Sequence, residues 1–360
     1  MSYYDDQMFD VTNKSEIITI INRNINININ INKTQIVLPD GFSFKTLGLK
    51  YLDEIHELLN NNYIEDDMQI TRIIYSRDFL YWYLKNVPTN FAIGLIYNKK
   101  LIGFITALII DTIIYNEKIR VPYINFLCIQ KKLRGMNLAP LLIDEIKYRL
   151  IKNHITYALF CTKDNLESFF SFTTNYVIPI NYEKLKKIGF LNSELDPLPV
   201  IDNNPLHLMV ESDILSIVPK LNASMEKIKI KPYFTFDSAK NFLLPKKNIV
   251  YTFIKKNNKG EVTDFITVYK NYLYCIESDE MVSVGQLAFY YYETMDLTQL
   301  VTYLLNKLVI YKFDQLVFRD MNKNSDINIT KFSTSDELYF YLYNVNIKQT
   351  LSSDVCWWPF

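Results

Sequence analysis

Glycine is scarce in this chain, 8 residues of 360, roughly 2% against a typical ~7%, so the glycine-rich loops that wrap nucleotide phosphates are not expected. The four cysteines, Cys128, Cys161, Cys275 and Cys356, lie far apart and form no CxxC pair. That argues against a zinc ribbon, another metal site or a disulfide framework, and for a reducing compartment. Neither sign of charge is in excess, with 39 Lys and Arg against 39 Asp and Glu and a pI near 6.8, whereas a nucleic-acid partner calls for a basic surplus or stripe. Long apolar runs are absent too. The longest uncharged one, Leu101 to Ile110, is about half of the ~20 residues a membrane-spanning helix needs, and the start Met1-Ser-Tyr-Tyr-Asp-Asp is polar and acidic, unlike a secretory signal. The expectation is a soluble, cytoplasmic monomer with no metal, no nucleic acid and no membrane span.

What is present is enough apolar material, 49% of residues, for a sizeable core, and a length that implies about two domains at ~150 residues each. Asn and Ile alternate over residues 22–32; the period of two suits a strand, and equally a tolerated spacer written by biased composition. VLPDGF follows, a turn with Pro, Asp and Gly in favoured positions, and then an amphipathic helix over Leu49 to Leu59. From Phe91, FAIGLIYNKKLIGFITALII reads as two strands about an Asn98-Lys-Lys turn, IRVPYINFLCI as a third strand, and Leu138 to about Leu150 as a helix. The order returns later: NIVYTFIKKNNKGEVTDFITVYKNYLYCI, then SVGQLAFYYYET, then a helix over Leu297 to Tyr311. Residues 99–109 and 259–269 share a pattern that includes Phe-Ile-Thr. This suggests an internal duplication with a boundary near 205–225, the alternative being two unrelated hairpins.

The connection INFLCIQKKLRGMNLAPLLIDEI carries the strongest chemical signal. A turn rich in backbone N–H groups at a helix start binds phosphate; Gly135 allows close approach, Lys131, Lys132 and Arg134 add charge, and Pro140 falls where a first helical turn needs no N–H. An ordinary strand-to-helix connection with solvated lysines fits the same residues.

The run Tyr123 to Glu145, with its NFLC core, closely resembles the signature segment of glycylpeptide N-myristoyltransferases. Further matches follow in the same order: LPDGF at 38–42, LLNNNYIEDD at 58–67, YSRDFLYWYL at 75–84, KLIGFI at 100–105, LKKIGF at 185–190, KGEVTDF at 259–265 and FYLYN at 340–344. The resemblance implies an α+β fold: two tandem, pseudo-symmetric Gcn5-related N-acyltransferase folds, each a mixed β-sheet flanked by helices. Residues 1–210 would form the acyl-coenzyme A half and 211–360 the peptide half.

Carried position by position, the resemblance makes the N–H groups of Phe126 and Leu127 an oxyanion hole for a thioester carbonyl, a role that needs no catalytic side chain. Asn125 would help hold the incoming N-terminal Gly. Arg134, Gly135, Met136, Asn137, Leu138 and Ala139 would grip the phosphates and pantetheine of the donor, and Tyr3 and Tyr4, with Asp5 and Gln7, would cover it, the chain starting at the catalytic core without a basic extension. Tyr63, Glu65, Asp66 and Asp67 match an acidic loop that meets a basic residue along the substrate, although such a cluster also reads as a solvated turn. The α-carboxylate of the last residue, Phe360, would help deprotonate the Gly ammonium, its CWWPF tail otherwise being an apolar anchor. Cys128 reads as a buried strand residue rather than a nucleophile.

Departures from the family pattern bear on specificity. Met136 and Asn137 stand where relatives carry basic residues, which would lower coenzyme A affinity. Cys161 stands where a Thr is usual, Val177 where a His contacts the peptide, and Phe332-Ser-Thr-Ser-Asp-Glu337 replaces a glycine-rich stretch, so the departures at Cys161, Val177 and 333–338 bear on peptide specificity more than on fold or chemistry. The resulting expectation is transfer of myristate from myristoyl-coenzyme A to an N-terminal glycine, donor bound first, with no permanently bound cofactor. The alternatives are a catalytically weak or inactive acyl-coenzyme A or lipopeptide binding module of the same fold, and an acetyltransferase, which the doubled architecture disfavours.

Overall fold

The computed structural model describes residues 19–20, 38–63, 70–191, 198 and 201–360, without the side chains of 19–20 and 333–336. The strands are β1 Thr19–Ile20, β2 Phe42–Thr46, β3 Thr71–Ile74, β4 Ala92–Tyr97, β5 Lys100–Ile114, β6 Glu117–Ile129, β7 Ala158–Thr162, β8 Ser171–Pro179, β9 His207–Leu208, β10 Ile230–Pro232, β11 Val250–Lys256, β12 Val262–Cys275, β13 Glu280–Tyr291, β14 Gln315–Arg319, β15 Phe332–Tyr343 and β16 Val345–Asn346. The helices are α1 Leu52–Asn62, α2 Arg77–Asn86, α3 Leu138–Lys152, α4 Tyr182–Lys187, α5 Ile214–Ser224, α6 Phe236–Phe242 and α7 Leu297–Ile310.

Local chemistry explains the elements that frame the site. Asn98 and Lys99 adopt φ of +46° and +67°, the left-handed pair that a two-residue hairpin turn requires, and join β4 to β5 as the sequence implied. Gly41, at φ +82°, occupies the third position of a turn closed by the Phe42 N–H to the Pro39 carbonyl. Helix α3 buries Leu138, Leu142, Ile146 and Leu150, one stripe at a spacing of four. Helix α7 starts on Asp296, whose side chain accepts from the Gln299 N–H, and buries Leu297, Leu300, Val301, Leu304, Leu305 and Leu308.

The plan β4-β5-β6-α3-β7 is repeated as β11-β12-β13-α7-β14. In each copy the two long strands form an antiparallel pair, and a helix crosses back to a parallel strand, β7 beside β6 and β14 beside β13. The sheet order is β2-β4-β5-β6-β7-β15-β8-β14-β13-β12-β11-β9, with β10 on β5 and β3 on β12, and β1 pairs separately with β16. Strand β15 from the end of the chain lies against β7, β8 from the first half lies against β14, and β8 and β15 pair with each other. Each copy thus receives a strand from the other side of residue 210, and one sheet runs through both. The alternating stretch 22–32 lies outside the described residues.

Candidate active site

The site begins with a fault in the β5–β6 ladder. Phe104 pairs with Cys128 and Thr106 with Asn125, so Ile105 faces two residues, Phe126 and Leu127. This is a β-bulge, which bends its strand and takes backbone groups out of the pairing register. Phe126 carries the distortion at φ +56°, a conformation that costs a bulky residue about 1–3 kcal/mol. Burial holds it there: its side chain is fully enclosed, with ring centroids 5.7 Å from Tyr63, 5.0 Å from Tyr75 and 4.8 Å from Tyr83.

The Phe126 N–H donates to Oδ1 of Asn125 at 2.9 Å, and the Tyr63 hydroxyl donates to the same oxygen at 3.4 Å. Tyr63 and Asn125, far apart in sequence, therefore meet. Burial, and next the neighbouring Tyr75, raises the Tyr63 phenol well above its ordinary range, so it remains a neutral donor. Asn125 Nδ2 is buried and makes no hydrogen bond among the described residues. Thr106 Oγ1, itself 3.4 Å from the Tyr83 hydroxyl, donates to the Asn125 carbonyl.

Asn125, Phe126, Leu127 and Cys128 line a cavity of about 1100 Å³. One stretch of its wall is apolar and follows α3 and the following loop through Ile143, Ile146, Leu150, Ile155, Tyr157 and Ala158; another crosses the sheet through Cys161, Asn175, Gln286, Arg319, Glu337 and Leu338. The turn 130–137 and the start of α3 supply Arg134, Gly135, Asn137, Leu138 and Ala139 to the same lining, while Met136 is 59% exposed and does not contribute to it. Gly135 has φ +81°, and a Cβ there would meet nothing within 4 Å, so glycine serves the backbone conformation rather than the space. Asn137 also takes positive φ, +53°, as the N-cap of α3. Asn62 ties the turn to α1: its Oδ1 accepts from the Lys131 N–H at 2.9 Å, and its carbonyl accepts from the Arg134 guanidinium. Asn62 and Thr106 could not be singled out beforehand, since each acts through a partner distant in the chain, and Gln286 and Arg319 join the cavity wall only through the fold.

Burial pushes the thiols of Cys128 and Cys161 up to about 12, so neither is a thiolate at neutral pH. Cys161 accepts from the Tyr123 hydroxyl at 3.9 Å. The described residues contain no group of three or more His, Cys, Asp or Glu able to hold a metal ion. Val177 pairs with Val317 and Phe332 in the sheet, and the β8–β15 register shifts between Ser333 and Glu337. Tyr3, Tyr4, Glu65, Asp66 and Asp67 lie outside the described residues. The tail is buried: Pro359 lines the cavity, and the Phe360 ring meets Phe79, Trp82, Tyr83 and Tyr269 edge-on at 5.1–5.9 Å. Tyr83 touches both Phe360 and Phe126, which sets the last residue one ring away from the bulge.

The chain matches the N-terminal domain of myristoyl-CoA:protein N-myristoyltransferase over residues 20–173 and the C-terminal domain over 194–355. It is 49% identical over 348 residues to a protein of Acanthamoeba polyphaga mimivirus assigned as a glycylpeptide N-tetradecanoyltransferase, with 96% of each chain covered. It is 31% identical to glycylpeptide N-tetradecanoyltransferase 2 of Danio rerio, covering 85% of this chain and 67% of that one, and 30% identical to the Plasmodium falciparum enzyme, covering 87% and 81%. Among solved structures, Saccharomyces cerevisiae N-myristoyltransferase with bound myristoyl-CoA superposes with a TM-score of 0.87 at 21% identity, over 97% of this chain and 93% of that one.

Proposed function

The chain belongs to the myristoyl-CoA:protein N-myristoyltransferase family, and from that premise we propose how its own residues divide the work. The enzyme transfers myristate from myristoyl-CoA, its co-substrate, to the α-amine of an N-terminal glycine. In our reading the apolar wall along α3 takes the acyl chain, the turn Arg134 to Ala139 takes the phosphates and pantetheine, and the wall from Cys161 to Leu338 takes the peptide. Residues 1–210 then serve mainly the donor and 211–360 mainly the peptide, with β8 and β15 crossing between them.

The observation that carries the assignment is the bulge, because it brings Phe126 and Leu127 onto the wall shared by both stretches. The glycine nitrogen attacks the thioester carbon, the carbonyl becomes an oxyanion stabilised by the N–H groups of Phe126 and Leu127, and collapse expels the coenzyme A thiolate. The amine has a reference pKa near ~8, so only partial help is needed to remove its proton; we assign that help to the Phe360 α-carboxylate. Asn125 links the two substrates. Its Oδ1 now holds the Phe126 N–H, so a donor carbonyl must displace it, and the freed oxygen can then accept from the glycine ammonium. That exchange supports binding of the donor before the peptide.

We also place the enzyme in the cytoplasm as a monomer. The four cysteines are free thiols, which suits a reducing compartment, and no described helix is long and apolar enough to cross a membrane. The deciding experiment mixes enzyme, donor and a peptide with an N-terminal glycine: a myristoyl mass gain on the peptide is expected, with acetyl-coenzyme A much poorer as donor. Donor binding without turnover would reduce the protein to a binding module. Sedimentation velocity tests the monomer.

A further inference from the structure

A second cavity, of about 560 Å³ and sharing no lining residue with the first, lies where α4, β12, β13 and the end of α7 converge. Among its lining residues are three lysines, Lys184, Lys270 and Lys312, against a single carboxylate, Asp314. That carboxylate is already committed: its oxygens accept from Lys184 Nζ at 2.7 Å, from Asn181 Nδ2 at 2.9 Å and from the Ser283 N–H at 2.8 Å. Lys270 is left poorly matched. It is only 8% exposed, and its Nζ makes one long hydrogen bond among the described residues, to the Tyr311 carbonyl at 3.5 Å, beside a cation–π contact with Phe313 at 4.5 Å. Ser283, also 8% exposed, has an Oγ with no hydrogen-bond partner among the described residues.

A buried ammonium without a full counter-charge is costly, and the carbonyl at the end of α7 offers only partial negative charge. The cavity thus presents unused donors from Lys270 and Ser283, a solvent-facing cation in Lys312, and no uncommitted carboxylate among its lining residues. We propose that this pocket is an anion site for a phosphate group, with Lys270 and Ser283 as inner contacts and Lys312 at the rim. A phosphoryl dianion supplies both the missing charge and several strong acceptor oxygens. Burial already lowers the Lys270 pKa, an effect that the charge of Asp314 opposes, and a bound dianion would raise it again. The proposal is independent of acyl transfer, since none of these residues lines the active-site cavity.

Met281 lines the pocket, so its methyl group, labelled with carbon-13 and identified by Met281→Leu, reports binding there and not at the donor turn. The full-length chain is titrated with inorganic phosphate and, separately, with adenosine 5′-monophosphate, against chloride at matched ionic strength. A saturable Met281 shift is expected with phosphate or the monophosphate and not with chloride. Tighter binding of the nucleotide would identify a phosphorylated organic molecule as the ligand, and equal binding the free ion. Lys270→Met, which keeps the apolar stem, should weaken binding about tenfold or more, and Lys312→Ser about threefold. No saturable shift with either compound, or an unchanged titration in a folded Lys270→Met, overturns the proposal. Should circular dichroism show Lys270→Met unfolded, Lys312→Ser decides, and an unchanged affinity there overturns it as well.

Discussion

The two copies of the repeated plan carry the same bulged strand and put it to different uses. In the first copy the bulge at Phe126–Leu127 is left-handed at Phe126 and opens on the cavity of about 1100 Å³. In the second, Ile266 pairs with Tyr290 and Val268 with Leu287, so Thr267 faces Ala288 and Phe289, neither of which has positive φ. Phe289 is covered by Trp358, with centroids 4.7 Å apart, and by Phe234 at 5.0 Å. The tail therefore seals one bulge with an indole and brings Pro359 to the cavity beside the other. The turns that follow differ in the same sense. After β6 the turn presents Gly135 and Arg134 to the cavity. After β13 the equivalent backbone already holds an anion: Asp264 Oδ1 accepts from the N–H groups of Glu293 at 2.9 Å and Thr294 at 3.0 Å, and Oδ2 accepts from the Thr294 hydroxyl. Aligned on Phe-Ile-Thr, the residue matching Asp264 is Gly103, where a Cβ would come within 2.7 Å of Ile129 Cδ1 and 3.3 Å of the Cys128 carbonyl. The same plan is built twice; what fills each copy decides which can take a ligand.

Ranked by effect on turnover, the first way to break this contrast is at the tail. The Phe360 α-carboxylate has a reference pKa of only ~3.5 and is a weak base unless placed beside the ammonium. Adding a few residues after Phe360 keeps every side chain and moves the charge, and should lower kcat by about 10² or more with donor affinity intact. Phe360→Leu keeps the carboxylate and should change kcat by no more than about threefold, while costing about 1 kcal/mol of stability from its aromatic surroundings. Normal turnover in the extended enzyme, or greater damage from Phe360→Leu, would make the tail a packing anchor alone. Next, Gly135→Asp gives the first turn an acid, as the second already has. A side chain at φ +81° and a negative charge facing phosphates should together weaken donor binding by about 30-fold, read by calorimetry. Unchanged affinity would remove the turn from the donor site.

Much of this frame was legible in the sequence, because it rests on local rules. The two hairpins, the third strand of each copy and helices α3 and α7 follow from apolar periodicity and from turn residues such as Asn98 and Gly260, both of which take positive φ. The helix anticipated from Leu49 opens with a short 3₁₀ turn, Leu49–Tyr51, before α1. The exchange of β8 and β15 was not legible, since Phe332 pairs with Val177 and Phe340 with Cys161, partners chosen by the packing of the whole sheet. The family resemblance pointed to the NFLC segment and the Arg134–Gly135 turn, which line one cavity, whereas the support from Asn62 and the filling of the second turn by Asp264 depend on side chains that meet only in the fold.

A smaller effect should come from the hydrogen bond between Tyr63 and Asn125. Tyr63→Phe removes a 3.4 Å contact to Asn125 and keeps the ring within its aromatic cluster, so kcat/KM for the peptide should fall about threefold with donor affinity unchanged. A parallel fall in donor affinity would mean that Tyr63 acts by holding Phe126 in place.

The smallest effect on turnover belongs to Asp264, which should matter for stability alone. Asp264→Asn replaces a fully buried carboxylate that receives several hydrogen bonds, and turns one of its acceptors into a donor facing other donors. The expected loss is about 2 kcal/mol, seen as a lower urea midpoint, with donor affinity and kcat unchanged. The pH dependence separates charge from shape. Burial opposes ionisation of Asp264, but the hydrogen bonds from Thr294, the Glu293 N–H, Thr263 and the Thr294 N–H outweigh it and lower the pKa in the folded protein. A depressed carboxylate stabilises the fold fully above its unfolded value, about 3.9, and loses that contribution as pH falls through the folded one. The gap between wild type and Asp264→Asn should therefore stay constant from pH 7 to about 5 and narrow below about 4. A gap that stays the same down to pH 3 would show that Asp264 acts by fit instead of charge, and the second turn would no longer count as an anion site that binds its own side chain.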